Sequence, residues 1–141
     1  MKKRTYKLIV VIIAVLLFIT VPVNAAVFRA SDYLSVYSAD LIKTSTGELS
    51  LYFRVTAPAK MDYLGANRIY IQRYTGSYWT TEYTYTYPEE PSLQGENVVR
   101  YSQTLIYEPL YSSAQYRAVV VFYAAKGSGS DTGTYTTNSV S

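Results

Sequence analysis

Alternation of apolar and polar residues with a period of two is the feature that most constrains the fold of this chain. Residues 49–56 read LSLYFRVT, so that leucine, phenylalanine and valine alternate with serine, tyrosine, arginine and threonine. Because successive side chains of a strand point to opposite faces, this segment has one core face and one solvent face. Residues 115–124, QYRAVVVFYA, are apolar on both faces, which is typical of a central strand.

Seven segments of this kind are separated by turn signals rich in glycine, proline and serine. They are residues 32–42, 48–56, 67–74, 78–87, 98–107, 115–124 and 133–140. No helical period of useful length accompanies them, apart from one turn near residues 61–64. Short strands at this spacing predict an all-β fold, an antiparallel sandwich of about seven strands of the immunoglobulin or fibronectin type III type.

Tyr116 stands at the head of the sixth predicted strand, directly after a turn. In these sandwiches a tyrosine at this point forms the tyrosine corner, in which its hydroxyl bonds a backbone group a few residues upstream. The alternative is that Tyr116 is one more core aromatic.

The amino terminus is a separate targeting segment. Residues 1–7, MKKRTYK, carry four positive charges and precede an apolar run at 8–20, and the small residues Val23 and Ala25 suit a signal peptidase. We predict a signal-peptide helix in residues 1–25, cleaved after Ala25, and a secreted β-sandwich domain in residues 26–141. Retention as a membrane anchor is the alternative, but the run is shorter than the roughly 20 residues of a bilayer span. We therefore expect an extracellular protein without a stable membrane anchor.

Cleavage also removes the basic excess of the chain. Of 13 basic residues four lie in residues 1–7, which leaves nine against 10 acidic residues and a net charge of −1. These nine are scattered singly, whereas nucleic-acid binding needs a clustered basic face, so we expect no nucleic-acid partner.

The chain has no cysteine and no histidine. It therefore lacks disulfides and the side chains of most nucleophilic and zinc chemistry, and we expect no enzyme activity and no cofactor.

The acidic residues do not form a convincing site. Glu89 and Glu90 are adjacent, so they point opposite ways in an extended chain, and the prolines beside them indicate a solvated turn. Glu82 alternates with threonines, which predicts a solvent-facing position. Residues 126–134, KGSGSDTGT, are interpreted as a hairpin turn, because one carboxylate is too few for calcium. Residues 61–66, MDYLGA, are interpreted as a turn that crosses between sheets. We expect no catalytic residue and no metal site.

The stretch YTGSYWTTEYTYTYPEEP, residues 74–91, has a tryptophan and five tyrosines within residues 74–87. Tyrosine and tryptophan rings can stack on sugars, but they also pack well in a sheet. The turn decides between these roles. A two-residue turn at 76–77 places Tyr74 opposite Trp79 and brings Glu82 to the core face. A three-residue turn with a glycine bulge at Gly76 reverses this parity.

We predict the three-residue turn, because burying a charged Glu82 is costly and burying Trp79 is favourable. Gly76 and Trp79 are then structural residues. The rings expected on the core face with Ile69 and Ile71 are those of Trp79, Tyr83, Tyr85 and Tyr87. The outer face keeps a candidate ligand-contact patch of Tyr70, Tyr74 and Tyr78.

Three stretches carry a resemblance to a known family. ASDYLSVYSADL near the mature start, MDYLGANRIYI in the middle and YAAKGSGSDTGTYTTNSV at the end resemble the signature stretches of small secreted proteins from clostridia and related Gram-positive bacteria. The resemblance covers about residues 30–140, and the terminal stretch is its most specific part. It implies secretion and a β-sandwich, and it assigns no catalytic or binding residue because the family is a domain of unknown function.

The sequence therefore predicts a secreted, non-enzymatic binding or structural module. Its expected partner is a cell-wall or host glycan, or another surface protein, contacted through the outer tyrosines. The alternatives are a small secreted toxin or bacteriocin-like protein, and a self-associating matrix protein that pairs through an edge strand.

Overall fold

The structure, a computed structural model, describes residues 31–141. The predicted signal peptide and its cleavage after Ala25 lie outside the described residues. The strands are β1 (Val36–Lys43), β2 (Leu49–Tyr74), β3 (Trp79–Thr86), β4 (Gln94–Tyr107), β5 (Tyr116–Lys126) and β6 (Gly129–Thr136), with a 3-10 turn at Pro91–Leu93 before β4. Residues 31–141 contain no helix that is long and apolar enough to cross a membrane.

The prediction of an antiparallel all-β fold is confirmed, with six strands in place of about seven. The second and third predicted strands are one strand, β2, which runs for 26 residues. The stretch between them, expected to be a turn between sheets, is extended chain. The ladder with β4 is irregular there, since it passes from the pair Thr56 and Arg100 directly to the pair Met61 and Val98. The ladder with β5 shifts between Ala66 and Arg68. Pro58, which lacks an N–H, lies in this interrupted segment, where no ladder hydrogen bond is lost.

The long strand β2 is shared by two groups of strands. Residues 49–56 pair with β1 on one edge and with β4 on the other. Farther along, residues 68–74 pair with β3, and residues 63–73 pair with β5, which in turn pairs with β6. The groups are therefore β1-β2-β4 and β3-β2-β5-β6. They are joined in one six-stranded sheet, because β4 also pairs with residues 61–65 of β2, next to the ladder with β5.

The core lies between these two groups. Phe53 of β2 meets Phe122 of β5 edge to face, with ring centroids 6.1 Å apart, and Tyr37 of β1 contacts the same Phe122 ring at 5.0 Å. The largest fully buried side chains come from both groups: Tyr116, Phe53, Phe122, Leu34, Leu49, Leu51, Met61, Leu64, Ile69, Ile71, Leu93 and Val55. All of them except Met61, Leu64 and Leu93 lie in the predicted strand segments. In residues 49–56 the two-residue period correctly indicates the core face, because Leu49, Leu51, Phe53 and Val55 are buried.

Two glycines allow the close approaches that this packing needs. A Cβ at Gly65 would lie 2.1 Å from the carbonyl oxygen of Leu93, where β4 begins against β2. A Cβ at Gly133 would lie 2.5 Å from the ring of Tyr37. Both distances are far below van der Waals contact, so only glycine fits at either point without displacing its neighbour.

The last hairpin is tighter than predicted. Lys126 pairs with Gly129, so only two residues connect β5 and β6, and the remainder of the expected loop belongs to β6. Gly127 adopts a positive φ of 58°. Its N–H donates a 2.7 Å hydrogen bond to Asp62 Oδ2, which attaches this turn to β2.

Candidate binding face and the buried carboxylate behind it

The turn between β2 and β3 is not the one predicted. Thr75 N donates to Tyr78 O at 3.0 Å, which leaves the two-residue turn Gly76–Ser77 and places Tyr74 opposite Trp79. Gly76 has a positive φ of 95°, a conformation that glycine adopts without steric cost. The turn is therefore even, and the predicted three-residue turn is wrong.

The parity of β3 changes at a β-bulge three residues after Trp79. Gln72 pairs with Thr81 and Ile71 pairs with Tyr83, so that Glu82 has no partner on β2. Beyond the bulge, Tyr83 and Tyr85 lie opposite Ile71 and Ile69, the register that the prediction expected. Tyr83 is nevertheless 49% exposed and its ring stacks on Tyr107, so the prediction that it packs into the core is wrong. The rings of Tyr85 and Tyr87 pack against the core.

Trp79 precedes the bulge and therefore does not lie on the core face. It is the ladder partner of Tyr74, and the two rings contact each other with centroids 5.2 Å apart on the outer face of the sheet. The prediction that Trp79 packs inward is wrong, because the extra residue that reverses the parity comes after it and not before it.

Glu82, the extra residue of the bulge, lies inside the protein, so the prediction that it faces solvent is wrong. Its side chain is only 5% exposed and forms an ion pair with Arg73, whose Nε donates at 3.0 Å. The hydroxyls of Tyr107 and Tyr116 donate to the carboxylate at 2.9 and 3.0 Å, and Leu110 N–H donates at 3.0 Å. The desolvation cost that argued against an inward Glu82 is thus offset by four donors.

These contacts determine the protonation of the buried group. Burial by itself would raise the pKa of Glu82, but the hydrogen bonds from Leu110, Tyr107, Tyr116 and Arg73 outweigh it and the pKa is lowered. Burial, together with the hydrogen bond to the Glu82 carboxylate, raises the pKa of Tyr116 to about 12 despite the opposing effect of the Tyr111 N–H. At neutral pH the carboxylate is ionised and both tyrosines are donors, an arrangement that joins β3 to β4, to β5 and to the β4–β5 loop.

Tyr116 also forms the backbone contact expected of a tyrosine corner. Its hydroxyl accepts a hydrogen bond of 3.3 Å from Tyr111 N, five residues upstream. Its side chain is fully buried, with 0% exposure. Arg73 lies on the Tyr111 ring, with Cζ 4.3 Å from the centroid, so the β4–β5 loop is held from both sides.

The aromatic pair on the outer face is bordered by an anchored arginine. The guanidinium of Arg117 lies over the Trp79 ring, with Cζ 4.3 Å from the centroid. Its Nε donates to Gln72 Oε1 at 2.9 Å, and Gln72 Nε2 donates to Thr81 Oγ1 at 3.5 Å. We call this set, Gln72, Tyr74, Trp79, Thr81 and Arg117, the aromatic face.

The three tyrosines predicted as ligand contacts are not equivalent. Tyr74 belongs to the aromatic face and is 37% exposed. Tyr70 lies on the same side of β2, partly buried, and its hydroxyl accepts a 3.2 Å hydrogen bond from Arg68 Nη1. Tyr78, 65% exposed, lies in the turn and contacts neither ring by stacking. Sequence reasoning missed Trp79 as an outer residue, and it missed Arg117, although the alternation in 116–122 places Arg117 opposite the face of Tyr116.

Residues 31–141 contain no cluster of three or more acidic, histidine or cysteine side chains that could hold a metal ion. Comparison of the chain with protein-family models, with curated proteins and with solved structures gave no match.

Proposed function

We propose that this chain is a secreted, non-enzymatic module with a fibronectin type III-like sandwich, and that it binds a glycan on the aromatic face. The proposal for the fold is supported by the order of strand pairing. If the halves of β2 are counted separately, the described chain has seven segments. One group contains the first, second and fifth segments, which are β1, the first half of β2 and β4. The other group contains the third, fourth, sixth and seventh segments, which are the second half of β2, β3, β5 and β6. This is the arrangement of fibronectin type III sandwiches, and Tyr116 stands at the head of the sixth segment, where their tyrosine corner lies.

The observation that carries the binding proposal is the outward position of the Tyr74 and Trp79 pair. Aromatic rings on an exposed sheet surface offer apolar faces to the C–H face of a sugar ring, and they have few rotatable bonds to immobilise. Gln72, Thr81 and Arg117 beside them offer hydrogen-bond donors and acceptors for hydroxyl groups. Binding sites for small molecules and sugars typically combine an aromatic contact with a few polar groups that orient the ligand.

The test is retention of the purified protein on insoluble polysaccharides and on peptidoglycan, compared with the variants Trp79→Ala and Tyr74→Ala. Tyr52→Ala is the matched control, since Tyr52 is 39% exposed, close to the value for Tyr74, and lies on the other group of strands. We expect each aromatic-face variant to lose roughly tenfold in affinity, which corresponds to about 1.4 kcal/mol. Equal retention of all four proteins on every matrix contradicts the proposal.

A further inference from the structure

The outer surface around the aromatic face is cationic, although the mature chain as predicted carries a small negative charge. Two carboxylates occur in the group formed by β3, β5, β6 and residues 66–74 of β2. Both lie on the inner side of this group. Glu82 lies three residues after the outward Trp79 and therefore faces inward, and Asp131 pairs with Ala124, which is 0% exposed. Two arginines lie on the outer side, Arg68 opposite Val121 and Arg117 opposite Gln72. Within these strands the outer surface therefore carries arginines and no carboxylate.

The guanidinium of Arg117 is held in place, and some of its N–H donors are not used within residues 31–141. Within residues 31–141 its one hydrogen bond runs from Nε to Gln72, and the Trp79 ring supports its plane. Neither Nη group has an acceptor among the described residues. A planar guanidinium fixed in this way matches a carboxylate with two parallel hydrogen bonds, and little side-chain entropy remains to be lost on binding.

We propose that the ligand of the aromatic face is an acidic polysaccharide built from uronic acid residues. This inference rests on the glycan-binding function proposed above. A uronic acid unit carries both elements that this surface fits, a sugar ring for Tyr74 or Trp79 and a carboxylate for the Nη groups of Arg117. A neutral sugar leaves the arginine without a counter-charge, and a linear polyol phosphate offers charge but no ring to stack.

A second copy of the same chain is a poorer occupant of this surface. A two-fold symmetric contact between identical faces would bring the arginines of one copy towards those of the other, with no carboxylate from either face to separate them. Charge complementarity thus favours an anionic ligand over self-association.

The test compares one polymer in two charge states: polygalacturonate and its fully methyl-esterified form, which keeps the sugar rings and removes the carboxylate charge. Binding is measured by isothermal titration with the purified protein. We expect the acidic form to bind about tenfold more tightly, the typical effect of one charged hydrogen-bonded contact, and this advantage to decrease as salt is added. Arg117→Gln should abolish the advantage, so that the acidic form and the ester bind with equal affinity. Arg100→Gln, the control, makes the same charge change at an exposed site on β4 and should keep the advantage.

The outcomes separate the two proposals. Equal affinity for the acid and the ester, with both reduced in Trp79→Ala, overturns the uronic acid inference and keeps the glycan proposal. Binding of a glycerol phosphate polymer as tight as that of polygalacturonate also overturns the inference, because charge without a sugar ring would then suffice. If neither polymer form binds to the wild type, the uronic acid inference fails, and retention on the other polysaccharides decides whether the glycan proposal fails with it. Circular dichroism of Arg117→Gln checks that the surface substitution leaves the fold intact.

Discussion

The buried carboxylate of Glu82 should make a large contribution to stability, and Glu82→Ala measures it. The substitution leaves two tyrosine hydroxyls, one backbone N–H and Arg73 without their acceptor. Breaking a buried ion pair costs about 3–5 kcal/mol. Because the Arg73 side chain is 25% exposed and water can reach it, we expect the lower end of this range, about 3 kcal/mol.

Urea denaturation followed by circular dichroism and by the fluorescence of Trp79, the single tryptophan of the chain, gives the free energy of unfolding. Glu82→Gln keeps the shape and one acceptor oxygen and should cost less, about 1–2 kcal/mol. Glu89→Ala, which removes an exposed carboxylate seven residues away, is the control and should change stability by less than about 0.5 kcal/mol. A loss below about 1 kcal/mol in Glu82→Ala would refute the argument that this carboxylate is desolvated and saturated with donors.

Three further predictions follow from the same contacts. The pKa of Glu82 is lowered by folding, so its stabilising contribution is present above the unfolded pKa of about 4.3 and is lost as the pH falls through the folded value. The free energy of unfolding, measured by urea titrations between about pH 6 and pH 3, should therefore decrease less in Glu82→Gln than in wild type. The pKa of Tyr116 is raised to about 12, so its contribution is present below the unfolded value of about 10 and is lost as the pH rises towards 12; thermal unfolding of Tyr116→Phe should be less sensitive to this alkaline range. Gly65→Ala forces a methyl group against the Leu93 carbonyl and should cost about 3 kcal/mol, whereas Gly76→Ala meets open space and should cost only about 1–2 kcal/mol for its positive φ; equal losses in chemical denaturation would contradict this ranking.

The strand segments and their core faces could be predicted because each follows from local alternation. Residues 49–56 show this best, since their alternating apolar positions are the buried ones in β2. In residues 115–124, where both faces are apolar, alternation could not indicate which face of β5 is buried. The number of strands could not be predicted in the same way. The residue types of 57–66, with Pro58, Asp62 and Gly65, are typical of a turn. Neighbouring strands on both sides nevertheless keep the chain extended, so that the two predicted strands form one strand.

The hairpin at Gly76 shows the limit of a local argument about register. The choice between an even and an odd turn assumed that parity, once set at the turn, holds along the whole strand. The structure has the even turn, which places Trp79 on the outer face, and a bulge three residues later sets Tyr83 and Tyr85 opposite Ile71 and Ile69. No pattern in TTEYT marks the position of this bulge.

The sequence by itself determined the class of the described domain, because a period of two, many turn residues and the absence of a long helical period are local properties that favour antiparallel strands. Its lack of cysteine and histidine likewise limited the available chemistry without reference to any fold. The tertiary structure alone decided where Glu82 and Trp79 lie. A carboxylate can enter the interior only if donors from distant segments meet it there. Those donors come from Arg73, Tyr107, Leu110 and Tyr116, which the chain brings together only once β2, β3, β4 and β5 have assembled. The even turn at Gly76 places Trp79 beside Tyr74 on the outer face and, three residues later, directs Glu82 inward, so the buried network and the proposed binding face have one structural cause.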